Sequence, residues 1–140
     1  MGKIKVRDLM TKRVFSIQAD EDLARLNDLM GEIHVRHVPV VDDEGAVIGI
    51  VSHRDLLRSA LDTGGMLPVS EQRDLLKNTL VREVMVTEVE TTDPEQDIQE
   101  AGRLMLDNKL GCLPVVEGDR LVGILTEADF VKYVVENATE

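Results

Sequence analysis

The 140-residue chain has a single cysteine, no tryptophan, one tyrosine and two phenylalanines. One cysteine, Cys112, excludes an intrachain disulfide and fits a reducing compartment. With aromatic residues at 2%, the core must be built from Val, Leu, Ile and Met. A pocket for a nucleotide base would have few rings to stack on, so it must use aliphatic side chains and backbone hydrogen bonds. No apolar run approaches transmembrane length, and Met1 to Met10 has no signal-type apolar stretch, which reads as a cytoplasmic protein without membrane association. Met1-Gly2 opens like a myristoylation signal, but Val6 stands where Ser or Thr is needed. Basic residues are also few: 16 Lys and Arg face 27 Asp and Glu, a net charge of −11. Such a surface repels a phosphate backbone and argues against nucleic-acid binding. A small anion could still bind where a few basic groups and helix N-termini converge.

What the sequence does have is an internal repeat. Shifted by 75 places (Met10 to Met85), Val6-Arg7-Asp8-Leu9-Met10 lies on Val81-Arg82-Glu83-Val84-Met85. Val14 falls on Val89, Asp22 on Asp97, Leu29-Met30 on Leu104-Met105, and Pro39-Val40-Val41 on Pro114-Val115-Val116. The register then slips by one residue, so that Gly49-Ile50 meets Gly123-Ile124, Ser52 meets Thr126 and Asp55 meets Asp129. The slip falls between Asp42-Asp43-Glu44-Gly45 and Glu117-Gly118-Asp119, acidic turns where a residue is easily gained or lost. A chain of this length makes one unit, or two halves each marginal alone that must share a core.

Local patterns read alike in both halves. Asp22 and Asp97 are good helix N-caps, and Glu100 is placed to complete a capping box in the second. Leu26, Leu29, Met30 and Ile33 make one apolar helix face. Val38–Val41 and Leu113–Val116 read as short buried strands, their prolines near the starts where a missing N–H is tolerated. Strands over 46–51 and 120–125 follow, then helices from Ser52 and Thr126. Each unit is strand, helix, strand, turn, strand, helix. The joining segment has helix breakers at Gly64-Gly65 and Leu67-Pro68, and a short helix is expected over 70–78 with Ser70 as its cap. Its Leu75 and Leu76 need cover, from this chain or a second one. The duplicated methionines Met10, Met30, Met85 and Met105 read as core.

The ordered set Asp8-Leu9-Met10, His37-Val38-Pro39-Val40-Val41-Asp42 and Gly49-Ile50-Val51-Ser52-His53-Arg54-Asp55-Leu56 resembles a CBS (cystathionine β-synthase) repeat. Val84-Met85, Leu113-Pro114-Val115-Val116 and Gly123-Ile124-Leu125-Thr126-Glu127-Ala128-Asp129-Phe130 resemble a second. The resemblance implies an α/β fold of two tandem β-α-β-β-α repeats packed through their sheets with pseudo-two-fold symmetry, a Bateman module. It divides the chain into repeat 1 at 1–62, a linker with a short helix at 63–80, and repeat 2 at 81–140. It implies two clefts for an adenosine-containing ligand (AMP, ADP, ATP or S-adenosylmethionine), a homodimer, and regulation of an unknown effector protein. With no effector domain in the sequence, that regulation is expected to act in trans. No catalytic residue and no resident cofactor is expected.

Ser/Thr-x-x-Asp at Ser52 and Thr126 is first of all a capping box, and both residues are expected to cap helices whether or not a ligand binds. The same carboxylates, Asp55 and Asp129, could accept the two hydroxyls of a ribose in charge-assisted bonds, with phosphate near the helix N-terminus. Carried across from the family, one cleft would use Asp55, Ser52, Arg54, His53, Ile50, Arg36, Thr91, Leu110 and Gly111. The other would use Asp129, Thr126, Ile124, Thr11, Ser16, Val35, Arg36 and Gly111. His53, Arg54 and Arg36 favour phosphates at Asp55, whereas Glu127, Ala128 and Gly111 favour adenosine, a less anionic ligand or an empty cleft at Asp129. His34 and His37, with Cys112 at the matching later position, straddle a helix end and a strand start and are not assigned a metal. No Ser elbow, His–Asp pair or P-loop is present, and Gly45 and Gly49 are spaced wrongly for a phosphate-cradling loop. The alternative to a ligand sensor is a constitutive dimerisation module in which both caps are structural.

Overall fold

The computed structural model describes residues 4–61 and 69–137. Along it the elements are α1 (Val6–Leu9), β1 (Ile17–Gln18), α2 (Leu23–Ile33), β2 (His37–Val41), β3 (Val47–Ser52), α3 (His53–Leu61), α4 (Val69–Lys77), a 3₁₀ turn (Val81–Glu83), α5 (Ile98–Asn108), β4 (Cys112–Glu117), β5 (Arg120–Thr126) and α6 (Glu127–Asn137). The expected breakers Gly64-Gly65 and Leu67-Pro68 and the Met1-Gly2 start lie outside the described residues, as does the side chain of Ser70.

The repeat is visible in the bonds that start and stop each element. Asp22 accepts the N–H of Arg25 at 2.8 Å and Asp97 that of Gln99 at 3.3 Å. Both helices end on a left-handed residue, His34 and Lys109, each with φ 55°. Glu100 makes no capping-box bond among the described residues; at that end Lys5 bridges to Asp97 and Ile98 donates to the Ile4 carbonyl. The N-terminal segment thus supplies a backbone acceptor to the first turn of α5, on the Ile98 N–H.

β2 pairs antiparallel with β3, and β4 with β5, each with an irregularity after the valine that follows its proline, at Val40/Val41 and Val115/Val116. In the first repeat β1 adds a parallel strand, Ile17 beside Val40 and Gln18 beside Val41. In the second that strand shrinks to one bridge, Thr92 to Val115. Asp93 turns the chain there, accepting from Glu95 and Gln96, and Pro94 has no N–H to extend a ladder. The prolines in β2 and β4 are tolerated through register. Pro39 faces Ile50, and Ile50 exchanges both of its bonds with Val86, so no ladder bond from Pro39 to β3 is required. Pro114 faces Ile124, which exchanges both of its bonds with Thr11.

Those two exchanges reveal a crossing-over of the repeats. Contacts divide the chain into two compact units: residues up to Val14 with those from Glu90 onward, and Phe15–Val89. Each repeat's leading segment therefore folds with the body of the other repeat. In one unit Val6 and Arg7 donate to the carbonyls of Gln96 and Pro94; in the other Val81 and Arg82 donate to those of Glu21 and Ala19. Val6 is fully buried among Ala101, Met105, Leu113, Val115 and Leu125. Val81 is fully buried among Ile17, Leu23, Leu26, Val38, Val40 and Val51. The cores are aliphatic, as the shortage of rings demands. α4 packs on α2 and α3, with Leu76 buried and an Arg73–Asp28 ion pair at 3.1 Å, so this chain covers Leu76.

Two glycines permit the crossing segments to approach. A Cβ on Gly49 would meet Met85 Sδ at 2.8 Å and the Val86 carbonyl oxygen at 3.1 Å. A Cβ on Gly123 would meet Met10 Sδ and the Thr11 carbonyl oxygen, both at 3.0 Å.

Candidate ligand site

In the unit formed by Phe15–Val89, β3 ends at Ser52 and α3 begins at His53. Ser52 and Asp55 close a reciprocal box. Asp55 Oδ2 accepts the Ser52 N–H and hydroxyl, both at 2.9 Å, and the Asp55 N–H donates to Ser52 Oγ at 3.1 Å. The other carboxylate oxygen, Oδ1, faces Arg58 one turn along at 3.8 Å. The Arg36 carbonyl accepts the His53 N–H at 2.7 Å, which ties the end of the α2–β2 loop to the start of α3. A cavity of about 320 Å³ opens beside this joint, lined by Asn27, Met30, Gly31, His34, Val35, Arg36 and His53. Arg54 and Ser16 are exposed, and Ile50 is half-buried beside Val86.

The second unit repeats the arrangement with different chemistry. Asp129 Oδ2 accepts the Thr126 N–H at 2.8 Å and its hydroxyl at 3.2 Å, while Oδ1 accepts the Thr11 hydroxyl at 2.8 Å. The Gly111 carbonyl accepts the Glu127 N–H at 3.3 Å, as Arg36 does for His53. The structure thus brings Asp129, Thr126, Ile124, Thr11 and Gly111 together in one unit. It brings Asp55, Ser52, Ile50, Arg36 and His53 together in the other. Thr91, Leu110 and Gly111 belong to the unit with Asp129; Ser16, Val35 and Arg36 belong to the unit with Asp55.

A larger cavity, about 960 Å³, has neither carboxylate in its lining. It is an apolar groove of the Asp129 unit, flanked by α5 and α6, with Leu9, Met105, Leu110, Phe130 and Tyr133 among its walls. Leu106 in its wall, and Val131, Val134 and Val135 on α6, are between 62% and 81% exposed. Cys112 is buried in β4, and burial pushes its thiol up to about 12. Among the described residues no three His, Cys, Asp or Glu side chains are grouped to hold a metal ion. Among the same residues no helix is long and apolar enough to cross a membrane.

Sequence reasoning missed the exchange of leading segments and the Thr11–Asp129 bond that follows from it. The signals for them were a glycine within each third strand and the grouping of Thr11 with Asp129 that the family resemblance implies. Arg58 was readable, since it lies three residues beyond Asp55 on an expected helix.

The model of the CBS domain family matches residues 6–62 and 81–136. The chain belongs to the CBS domain family. AcuB from Vibrio cholerae is 37% identical, with a TM-score of 0.81 over 96% of this chain and 93% of that one. The CBS-pair protein CBSX2, solved in complex with AMP, is 28% identical, with a TM-score of 0.77 over 94% of this chain and 96% of its own. The CBS domain pair of MJ0100, solved with 5′-methylthioadenosine and S-adenosylmethionine, shares the fold at 20% identity and a TM-score of 0.79. It covers 96% of this chain and 98% of its own. MJ1404 of Methanocaldococcus jannaschii is 29% identical over 97% of this chain, which spans only 33% of MJ1404.

Proposed function

We propose that this CBS pair is a non-catalytic sensor of an adenosine-containing ligand, bound at the strand-to-helix joints that carry Asp55 and Asp129. The observation that carries the reading is the free oxygen of Asp55. Its Oδ2 is committed to the cap, while Oδ1 has only a long contact, 3.8 Å, with the exposed Arg58. A carboxylate oxygen fixed in that way at a helix N-terminus suits the hydroxyls of a ribose. His53 and Arg36 at the adjacent cavity suit phosphate, and Arg54 adds a third basic side chain. Ile50, Thr91, Leu110 and Gly111 complete this site by family correspondence. Thr126, Ile124, Thr11, Ser16, Val35, Arg36 and Gly111 complete the one at Asp129. AMP bound to CBSX2 supports an adenosine nucleotide as the ligand; ADP, ATP and S-adenosylmethionine share the part these residues would read. The functional division is repeat 1 at 1–62, linker 63–80 and repeat 2 at 81–140.

The buried free thiol supports a reducing, cytoplasmic setting. Signalling in trans to an effector is part of the same reading, through a shift between two arrangements that the ligand binds unequally. A homodimer is the proposed assembly. The Val131–Val135 ridge of α6 and the groove flanking the same helix make one patch that can be its own partner in a two-fold pairing. Titration calorimetry with AMP tests the site. Asp55→Ala should remove the tighter event and leave the fold intact by circular dichroism. Tight binding that survives Asp55→Ala but is lost in Asp129→Ala would overturn the assignment.

A further inference from the structure

The two carboxylates of the repeat are engaged to different extents. Asp129 accepts three hydrogen bonds within its unit: two from Thr126 on Oδ2 and one from the Thr11 hydroxyl, at 2.8 Å, on Oδ1. Asp55 accepts two, both from Ser52 and both on Oδ2. The difference has a single origin. The position that matches Thr11 in the second repeat is Val86. Val86 exchanges N–H···O bonds with Ile50 at 2.9 Å both ways, just as Thr11 does with Ile124 at 2.8 and 3.0 Å. The backbones are equivalent, but Val86 brings no hydroxyl.

An ionised carboxylate has about four acceptor positions. Asp55 has two left, both on Oδ1, enough for the neighbouring hydroxyls of a ribose. Asp129 has one left. The remaining contact of Asp55, Arg58 at 3.8 Å, comes from a side chain 67% exposed. A pair this long, with its arginine largely in solvent, yields readily. The Thr11 bond is short and charge-assisted, so displacing it costs more.

We propose that Thr11 is an occupancy latch: its hydroxyl holds Asp129 against ribose binding, so one chain binds a nucleoside ligand tightly at Asp55 and weakly at Asp129. Thr11 borders the Asp129 site, as family correspondence has it, but its hydroxyl is spent on the carboxylate; it is a specificity-determining residue that acts through Asp129. The proposal rests on the reading that ribose hydroxyls bind these aspartates. It also gives a physical reason for unequal sites that does not depend on phosphate charge.

The test is titration calorimetry with AMP on five proteins: wild type, Asp55→Ala, Asp55→Ala/Thr11→Val, Asp55→Ala/Thr11→Ser, and Val86→Thr. Thr11→Val keeps the side-chain shape and copies Val86. In the Asp55→Ala background it should tighten AMP roughly tenfold, about 1.4 kcal/mol, while Thr11→Ser, which keeps the hydroxyl, should not. Val86→Thr, which places the hydroxyl beside Asp55, should weaken the tight site by a similar factor. The pair of 2′-deoxy-AMP and AMP gives a readout that loosened packing would not move. Preference for the ribose form at Asp129 should grow when Thr11 becomes Val. Unchanged or weaker AMP binding in Asp55→Ala/Thr11→Val overturns the latch while leaving the ribose reading intact. Absence of AMP binding in all five proteins overturns both.

Discussion

Replacing Gly123 by alanine tests the closeness of the exchanged segments. The added methyl would lie 3.0 Å from the Thr11 carbonyl oxygen and 3.0 Å from Met10 Sδ. The sulfur is the far part of a flexible side chain and can move. The carbonyl cannot move freely, because it accepts the Ile124 N–H at 3.0 Å. Overpacking a tight contact costs about 1–3 kcal/mol. The φ of Gly123 lies outside the left-handed region, so alanine meets no backbone penalty and recovers about 0.4–1 kcal/mol through the unfolded chain. The expected net loss is about 1 kcal/mol. Gly49→Ala should lose a similar amount, since the Val86 oxygen is 3.1 Å away and bonded to Ile50. Urea denaturation followed by circular dichroism reads both losses as lower midpoints at unchanged slope. A Gly123→Ala protein as stable as wild type, or more so, would refute the close approach of the leading segment to β5.

Three further outcomes follow from the same geometry. Ser52→Ala removes a cap whose hydroxyl both donates to and accepts from Asp55, and should cost about 1 kcal/mol in urea denaturation; no loss would contradict the reciprocal box. Cys112 should resist a thiol reagent in the native protein and react on unfolding. Burial raises its folded pKa from 9.0 to about 12, so the neutral thiol's contribution is complete below pH 9 and is lost as pH rises toward 12; rapid native labelling at pH 8 would refute the burial. Val134→Asp, on the exposed ridge of α6, should convert the proposed dimer to monomer in sedimentation equilibrium without unfolding it; an unchanged mass would move the interface elsewhere or show a monomer in both proteins.

Much of the fold was legible because the chain states it twice. Asp22 and Asp97 gave the starts of α2 and α5, and Ser52 and Thr126 those of α3 and α6, because capping is local chemistry written within four residues. Leu76 marked α4 as needing cover, and α2 and α3 supply it. The exchange of leading segments was not legible. Val6 and Val81 have the same neighbours in sequence, and either could pack on either body; only long-range pairing decides. The missed Thr11–Asp129 bond depends on that exchange, since the two residues are distant in sequence and meet only because Thr11 pairs with Ile124. The lost first strand of repeat 2 was partly legible in Asp93-Pro94, a turn signal that repeat 1 lacks at Gln18-Ala19.

The central claim is ligand sensing through the two aspartates, and thermal unfolding with and without AMP tests it most directly. At about 100 times its dissociation constant AMP should stabilise the wild type by roughly 2.7 kcal/mol, a rise on the order of 10 °C. The Asp55→Ala/Asp129→Ala protein should fold and show no rise. An equal rise in both proteins would place the nucleotide elsewhere, and no rise in either would leave a CBS pair that does not sense AMP.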